Sequence, residues 1–174
     1  KVSDLPLGKY RVVEAEAPYG YVLNKEEQYV TFVYVDDKTP VIKESLTFAN
    51  DRQKVDLSVA KLDGETGLPV SGAEFGLYAA EDIVNVDGKV IVEKDTLLEV
   101  AVSDANGDIQ FVKDYPLGHY YAKEIKAPAG YVSCDDVIEF DAEYQGQEVK
   151  YATIIANFYN MPTTFEFTKE DITS

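Results

Sequence analysis

The sequence predicts an all-β protein, a sandwich or partly open barrel, on three observations. Short runs rich in Val, Ile, Tyr and Phe recur along the 174 residues, separated by the turn signals "LDGETG", "NVDGKV", "DANGD", "DYPLG", "APAG" and "YQGQ". Strand-length runs bounded by Gly, Pro, Asn and Asp build sheets, and many of them in one chain build a sandwich or barrel. No segment keeps an apolar period of 3.6 for three turns, so no amphipathic helix is expected. The chain also repeats itself at a spacing of 110 residues, the size of one such domain.

The first repeated stretch, "LPLGKYRVVEAEAPYGY" at 5–21, matches "YPLGHYYAKEIKAPAGY" at 115–131 without a gap, with nine of seventeen positions identical. Pro6, Gly8, Tyr10, Glu14, Ala17, Pro18, Gly20 and Tyr21 recur as Pro116, Gly118, Tyr120, Glu124, Ala127, Pro128, Gly130 and Tyr131. At the same spacing "LTFAN" at 46–50 falls on "IANFYN" at 155–160, which sets Asn50 on Asn160. Next comes "VDLSVAKLD" at 55–63, and the tail "TFEFTKED" at 164–171 resembles its "LSVAKLD" at 57–63, placing Lys169 on Lys61. The chain therefore reads as the second half of one unit (1–52), a complete unit (53–162) and the first strand of a third (163–174). It begins abruptly, as though cut from something longer.

A strand turns alternate residues to opposite faces, so period-two parity assigns each segment an inner face. Val55, Leu57 and Val59 share a face with Lys61, and Phe165 and Phe167 with Lys169. Tyr120 and Ala122 share a face with Glu124, as Tyr10 and Val12 do with Glu14. Ile154, Ala156 and Phe158 lead to Asn160, as Leu46 and Phe48 lead to Asn50, while parity puts the nearby Asn157 on the outer face. Each apolar face ends in the same polar residue type in both copies: Lys, Glu, Asn.

An unpaired ammonium on a core face costs several kcal/mol, so Lys61 must be paired, neutral or chemically changed. In a low-dielectric site a lysine loses its proton more easily and a glutamate holds its proton more tightly. A neutral amine is a nucleophile, and a carboxyl can polarise an amide and shuttle protons. Lys61 would attack the side-chain carbonyl of Asn160, Glu124 would carry protons, and ammonia would leave, giving a Lys–Asn isopeptide crosslink. A buried Lys–Glu ion pair beside a hydrogen-bonded asparagine fits the same residues.

The stretches "KLDGETGLPVSGAEFGLY", "SDANGDIQF", "YPLGHYYAKEIKAPAGY" and "FYNMP" resemble the CnaB-type (SpaA-type, prealbumin-like) domains of Gram-positive surface proteins. The resemblance implies a prealbumin/immunoglobulin-like β-sandwich of the kind that builds pilin shafts and adhesin stalks, many of them carrying an intramolecular isopeptide bond. It makes Lys61 the family's lysine, Glu124 its catalytic acid and Asn160 its amide partner. Glu14, Asn50 and Lys169 are the equivalents in the partial units. It also implies an extracellular location on the bacterial surface, anchored to the cell wall in the parent protein, with neighbouring domains of that protein as partners.

Composition narrows the alternatives. A net charge of −16 leaves no basic stripe for a nucleic-acid backbone or an anionic membrane. The lone Cys134 permits no disulfide within the chain, and with one histidine, His119, no zinc cluster is expected. No apolar run approaches a membrane span, and no signal peptide or anchor is visible. "DANGD" at 104–108 has the opening spacing of a calcium loop but lacks its closing glutamate, so Asn106-Gly107 is expected to make a hairpin turn, as is "VDGK" at 86–89. His119, which sits where Lys9 sits in the other copy, is expected to be exposed, and Cys134 half-buried. The Tyr-Pro-Lys motif of sortase-polymerised pilins is absent, since "DYPLG" carries leucine in place of the lysine.

Two functions compete. A stalk of tandem, self-crosslinked domains uses every repeated feature. A binding module would instead use its loops, and the 13 tyrosines, to recognise a host protein or glycan. Enzymatic turnover ranks third, because no nucleophile–base pair, metal cluster, cofactor motif or phosphate loop stands beside the single-use triad.

Overall fold

The computed structural model describes residues 2–39, 41–85 and 87–170. The chain divides into two compact units. One takes in residues up to Gln53 together with Tyr144–Lys150, and the other takes in Lys54–Glu143 together with the chain from Tyr151 onward. Among the described residues there is no helix, hence none long and apolar enough to cross a membrane.

In the first unit, β1 (Gly8–Val12) and β2 (Gln28–Phe32) form an antiparallel pair with Tyr10 opposite Val30. The Tyr10 ring meets Phe32 edge-on at 5.8 Å, and its hydroxyl donates to the Pro6 carbonyl at 2.7 Å. The strand expected over 46–50 does not form, although Phe48 and Asn50 keep the alternating, half-buried parity. The second unit supplies the physical reason: its equivalent strand is held by a neighbour for which this unit has no counterpart. The "YQGQ" turn belongs to this unit. Gln147 accepts from Ala17 N–H through its side chain and from Leu23 N–H through its carbonyl, both at 2.8 Å. The buried Gln53 amide donates to the carbonyls of Gly146 and Val149 at 3.1 and 2.7 Å.

The second unit is a two-sheet sandwich. Its strands are β3 (Lys54–Asp63), β4 (Glu74–Ala79), β5 (Ile83–Val84), β6 (Val90–Val92), β7 (Leu97–Val102), β8 (Asp108–Tyr115), β9 (Gly118–Lys126), β10 (Val137–Ala142) and β11 (Tyr151–Asn160). One sheet has the order β10-β9-β4-β7 and the other β11-β3-β8, with β5-β6 as a separate two-stranded ribbon. The expected choice between sandwich and partly open barrel falls to the sandwich. Leu57, Val59, Ile109, Phe111 and Phe158 of one sheet form a common core with Phe75, Leu77, Tyr120, Ala122 and Phe140 of the other. Phe75 and Phe158 meet edge to face at 4.8 Å. Each large apolar side chain removed from water in this way contributes about 1.5–3 kcal/mol.

The alternation read from the sequence is present on β3, β9 and β11: Leu57, Val59 and Lys61 are buried on β3, Tyr120 and Ala122 on β9, and Phe158 and Asn160 on β11. One turn differs from expectation. Asn106-Gly107 does turn the chain tightly, with Gly107 N–H donating to Asp104 carbonyl and Asp104 N–H to Asp108 carbonyl. Yet β7 pairs with β4 while β8 pairs with β3, so this is a corner between sheets and not a hairpin. The second turn does close a hairpin between β5 and β6, where Asn85 N–H donates to the Lys89 carbonyl; Val86 lies outside the described residues. In the tail, residues 163–170 form no strand, and Phe165 and Phe167 are 84% and 96% exposed; residues 171–174 lie outside the described residues.

Candidate functional site

β3 is the middle strand of its sheet, antiparallel to β8 and parallel to β11. Its inner face carries Lys61, which is 0% exposed, and the register sets Phe158 opposite Lys61. Asn160, two residues further along β11 on the same face, is 1% exposed. Glu124 enters from β9 in the facing sheet, two residues beyond the buried Ala122. The three residues that parity placed on inner faces therefore converge at one end of the sandwich, and Asn157 lies exposed on the outside.

Two close approaches hold this end together. Lys61 N–H donates to the Gly107 carbonyl at 2.7 Å, and a Cβ on Gly107 would stand 2.4 Å from the Lys61 carbonyl oxygen. Gly107 also has φ of 78°, a conformation that glycine adopts without steric cost. Gly64 N–H donates to the Asn160 carbonyl at 2.8 Å, and a Cβ there would meet Met161 at 2.6 Å. The backbones bearing lysine and asparagine are thus pinned by glycines that allow contact at backbone distance.

The side chains are arranged asymmetrically. Asn160 Nδ2 donates to Glu124 Oε2 at 3.0 Å and to the Val132 carbonyl at 2.6 Å. Glu124 Oε2 also accepts from Cys134 N–H at 3.1 Å. Asn160 Oδ1 and Glu124 Oε1 are buried without a partner. Among the described residues Lys61 forms no ion pair, and its Nζ donates instead to the Leu62 carbonyl at 2.9 Å. Nζ lies 5.6 Å from the centre of the Tyr131 ring and 6.0 Å from that of Phe158. Burial pushes the Lys61 amine below its usual range, against the charge of Glu124, then Asp63, then Cys134.

Asp63 caps the same end. Its Oδ1 accepts from Glu65 and Thr66 N–H, both at 2.8 Å, and its Oδ2 from the Tyr131 hydroxyl at 2.7 Å. The Thr66 N–H, the Tyr131 hydroxyl and the Glu65 N–H hold its carboxyl down at about 2. Neither Asp63 nor Tyr131 was among the expected site residues, although Asp63 follows Lys61 at the parity of the inner face and Tyr131 repeats Tyr21. The Val132 and Leu62 carbonyls and the Cys134 N–H are backbone groups, which no residue pattern announces.

The first unit carries half of the site. Asn50 Nδ2 donates to Glu14 Oε2 at 2.6 Å and to the Val22 carbonyl at 3.0 Å, and Asn24 N–H donates to Glu14 Oε2 at 2.8 Å. These are the Asn160, Glu124, Val132 and Cys134 contacts displaced by one repeat. Lys169 lies in the tail, outside any strand. His119 is half-exposed on β9, its Nδ1 2.6 Å from Asp141 Oδ1, and Cys134 is partly buried. Asp104 uses its carboxylate on Asn106 and Asp108 N–H, and among the described residues no His/Cys/Asp/Glu group is placed to hold a metal ion.

Known proteins with the same architecture can be set beside this geometry. The chain aligns over 91% of its length with the Bacillus anthracis TIE protein, at 26% identity and a TM-score of 0.64, and spans 26% of that chain. It also aligns with the group B streptococcus pilus 2b backbone protein (20% identity, TM-score 0.47, 87% of this chain and 53% of that one). The shaft pilin SpaA of Lactobacillus rhamnosus GG aligns over 91% of this chain and 66% of its own, at 16% identity and a TM-score of 0.46. No curated protein matches the sequence. The model of the SpaA prealbumin-like fold domain matches residues 1–46 and 55–155, and the chain belongs to that family.

Proposed function

We propose that this chain is a structural stalk or repeat module of a bacterial cell-surface adhesin or pilin-like protein, stiffened by an isopeptide bond that Lys61 and Asn160 form once per molecule with Glu124 as proton carrier. The complete domain is 53–162, preceded by the second half of a like domain (1–52) and followed by a segment (163–174) whose sequence resembles the first strand of another, although 163–170 form no strand here. Its partners are the neighbouring domains of the parent protein, displayed outside the cell and anchored to the wall. Family membership supports the structural role, and among the described residues no other constellation offers turnover chemistry.

The observation that carries the crosslink is the pairing of a fully buried, unbridged amine with an amide whose carbonyl oxygen lacks a donor. A buried lysine without a carboxylate partner is costly as an ammonium, so the site favours the neutral nucleophile. The Lys61 Nζ–Asn160 Cγ bond forms as the Cγ–Nδ2 bond breaks. Glu124, already in contact with Nδ2, takes the proton that the attacking amine loses and returns it to the departing nitrogen, which leaves as ammonia.

Intact mass tests this directly. The folded chain should weigh about 17 Da less than its sequence mass, and Lys61→Ala, Glu124→Ala and Asn160→Ala should each restore the full value. A wild-type mass equal to the sequence mass would leave a buried lysine beside a hydrogen-bonded carboxyl and amide, and no crosslink.

A further inference from the structure

We infer that Asp63 and Tyr131 form a clasp that positions the reacting groups, with Tyr131 setting the geometry of attack and Asp63 adding a fixed negative charge that governs the pH at which the bond forms. The inference rests on the crosslinking reading above. Four chain segments meet in the reaction: β3 with Lys61, β11 with Asn160, β9 with Glu124, and the β9–β10 connection, whose Val132 carbonyl grips the Asn160 amide. The 2.7 Å bond from the Tyr131 hydroxyl to Asp63 ties the end of β3 to that connection, one residue before Val132.

The clasp is anchored on every side. Asp63 Oδ1 holds the turn through Glu65 and Thr66 N–H, and within that turn Gly64 N–H holds the Asn160 carbonyl. Tyr131 bridges to Pro162, and Val132 N–H donates to the Met161 carbonyl at 3.0 Å, so the connection is also fastened just beyond Asn160. The Tyr131 ring closes over the Lys61 amine at 5.6 Å and keeps water from it. Breaking the hydroxyl bond leaves the ring in place but frees the Val132 carbonyl, and with it the amide, to drift relative to Nζ. A misplacement of that kind lowers a rate without unfolding a domain.

The charged and titratable groups around the amine are few: Glu124 from β9, Asp63 from β3 itself, and Cys134 and Tyr131 from the β9–β10 connection, while β11 presents only Phe158 and Asn160. Asp63 is fixed as an anion by its three hydrogen bonds. Its charge favours the protonated form of Lys61, and removing it shifts that titration downward.

Two substitutions separate the roles. Tyr131→Phe keeps the ring and the charge and loses the tie. Asp63→Asn keeps an acceptor for the turn and a polar partner for Tyr131, and loses the charge. Each chain is taken unfolded from inclusion bodies and diluted to refold from about pH 5 to about pH 9, and loss of ammonia is followed by mass over time. Tyr131→Phe should react about tenfold more slowly at every pH, with the profile unmoved. Asp63→Asn should carry the whole profile down by about one pH unit. The double variant Tyr131→Phe/Lys61→Ala should melt within a few degrees of Lys61→Ala; failure to fold would assign the slow rate to unfolding and overturn the positioning role. A wild type that loses ammonia no faster than Tyr131→Phe, or an Asp63→Asn profile that stays in place, overturns this inference alone. A wild type that never loses ammonia overturns the crosslink and the clasp together.

Discussion

Asn160 hands its amide nitrogen to Glu124 at 3.0 Å, and one repeat earlier Asn50 hands its own to Glu14 at 2.6 Å. The two pairs are set by the same surroundings, a carbonyl at Val132 or Val22 and an N–H at Cys134 or Asn24. What distinguishes them is the lysine. Lys61 stands on the strand beside Asn160, whereas among the described residues no strand pairs with the stretch that carries Asn50.

The first prediction follows from that difference. The chain should lose one ammonia and not two, and peptide mapping should find Asn160 joined to Lys61 while Asn50 keeps its amide. A denaturing gel of concentrated protein should show a single monomer band. Covalent oligomers lost in both Asn50→Ala and Lys169→Ala would mean that the tail of one molecule supplies the missing lysine to another.

The second concerns stability. A bond between Lys61 and Asn160 closes nearly the whole domain into a loop, and closing about 100 residues is worth roughly 4.7 kcal/mol in the chain-entropy model. Lys61→Ala should therefore lower Tm by more than about 10 °C and bring earlier cleavage by protease. Glu124→Gln, which leaves the lysine in place, should lower it comparably; an unchanged Tm in both would detach the durability of the domain from the bond.

Glycine supplies the third. Gly107→Ala forces a side chain into a left-handed position and against the Lys61 carbonyl, and should cost about 2 kcal/mol or more. Gly88 has the same sign of φ, at 77°, but open space around its would-be Cβ, so Gly88→Ala should cost only about 1 kcal/mol. Denaturant melts of both variants in the Lys61→Ala background, where no crosslink masks the difference, measure the gap.

The fourth is a pH effect. Hydrogen bonds from Thr66, Tyr131 and Glu65 lower the Asp63 carboxyl from 3.8 to about 2. A depressed folded value means that its stabilisation is present above the unfolded pKa and is lost as pH falls from about 4 toward about 2. Wild type should melt above Asp63→Asn at neutral pH, and the two should converge as the pH approaches 2. A gap that stays constant across that window would show that the ionised form of Asp63 is not what stabilises the turn.

Much of the sandwich could be read from side-chain parity, because β3, β9 and β11 each have one wetter and one dry face: Leu57, Val59, Tyr120, Ala122 and Phe158 are all inward. The same parity led to Lys61, Glu124 and Asn160, since a polar residue at the end of an apolar face is visible in sequence. Sheet membership was not visible. Asn106-Gly107 reads as a hairpin turn because the turn chemistry is local, whereas whether β8 returns to β7 or crosses to β3 is decided by long-range packing. The "YQGQ" segment reads as a plain turn, because nothing local tells that Gln147 and the Gly146 and Val149 carbonyls find partners in residues 17–53. The grip on Asn160 by Val132 and on Glu124 by Cys134 is made by backbone, and every residue carries those groups alike.

The parallel register of β3 and β11 bears on how the domain answers a pull. Tension applied between Lys54, the start of β3, and Asn160, the end of β11, would pull on opposite ends of two strands running the same way over ten residue pairs. Force applied there slides one strand along the other and loads all the rungs of the ladder at once; it does not peel them apart one by one. Extension would require the whole set to fail together, as in a shear joint. A covalent rung between Lys61 and Asn160, at the far end of that joint, would take residues 62–159 out of the load path and leave only residues 54–60 of β3 able to lengthen.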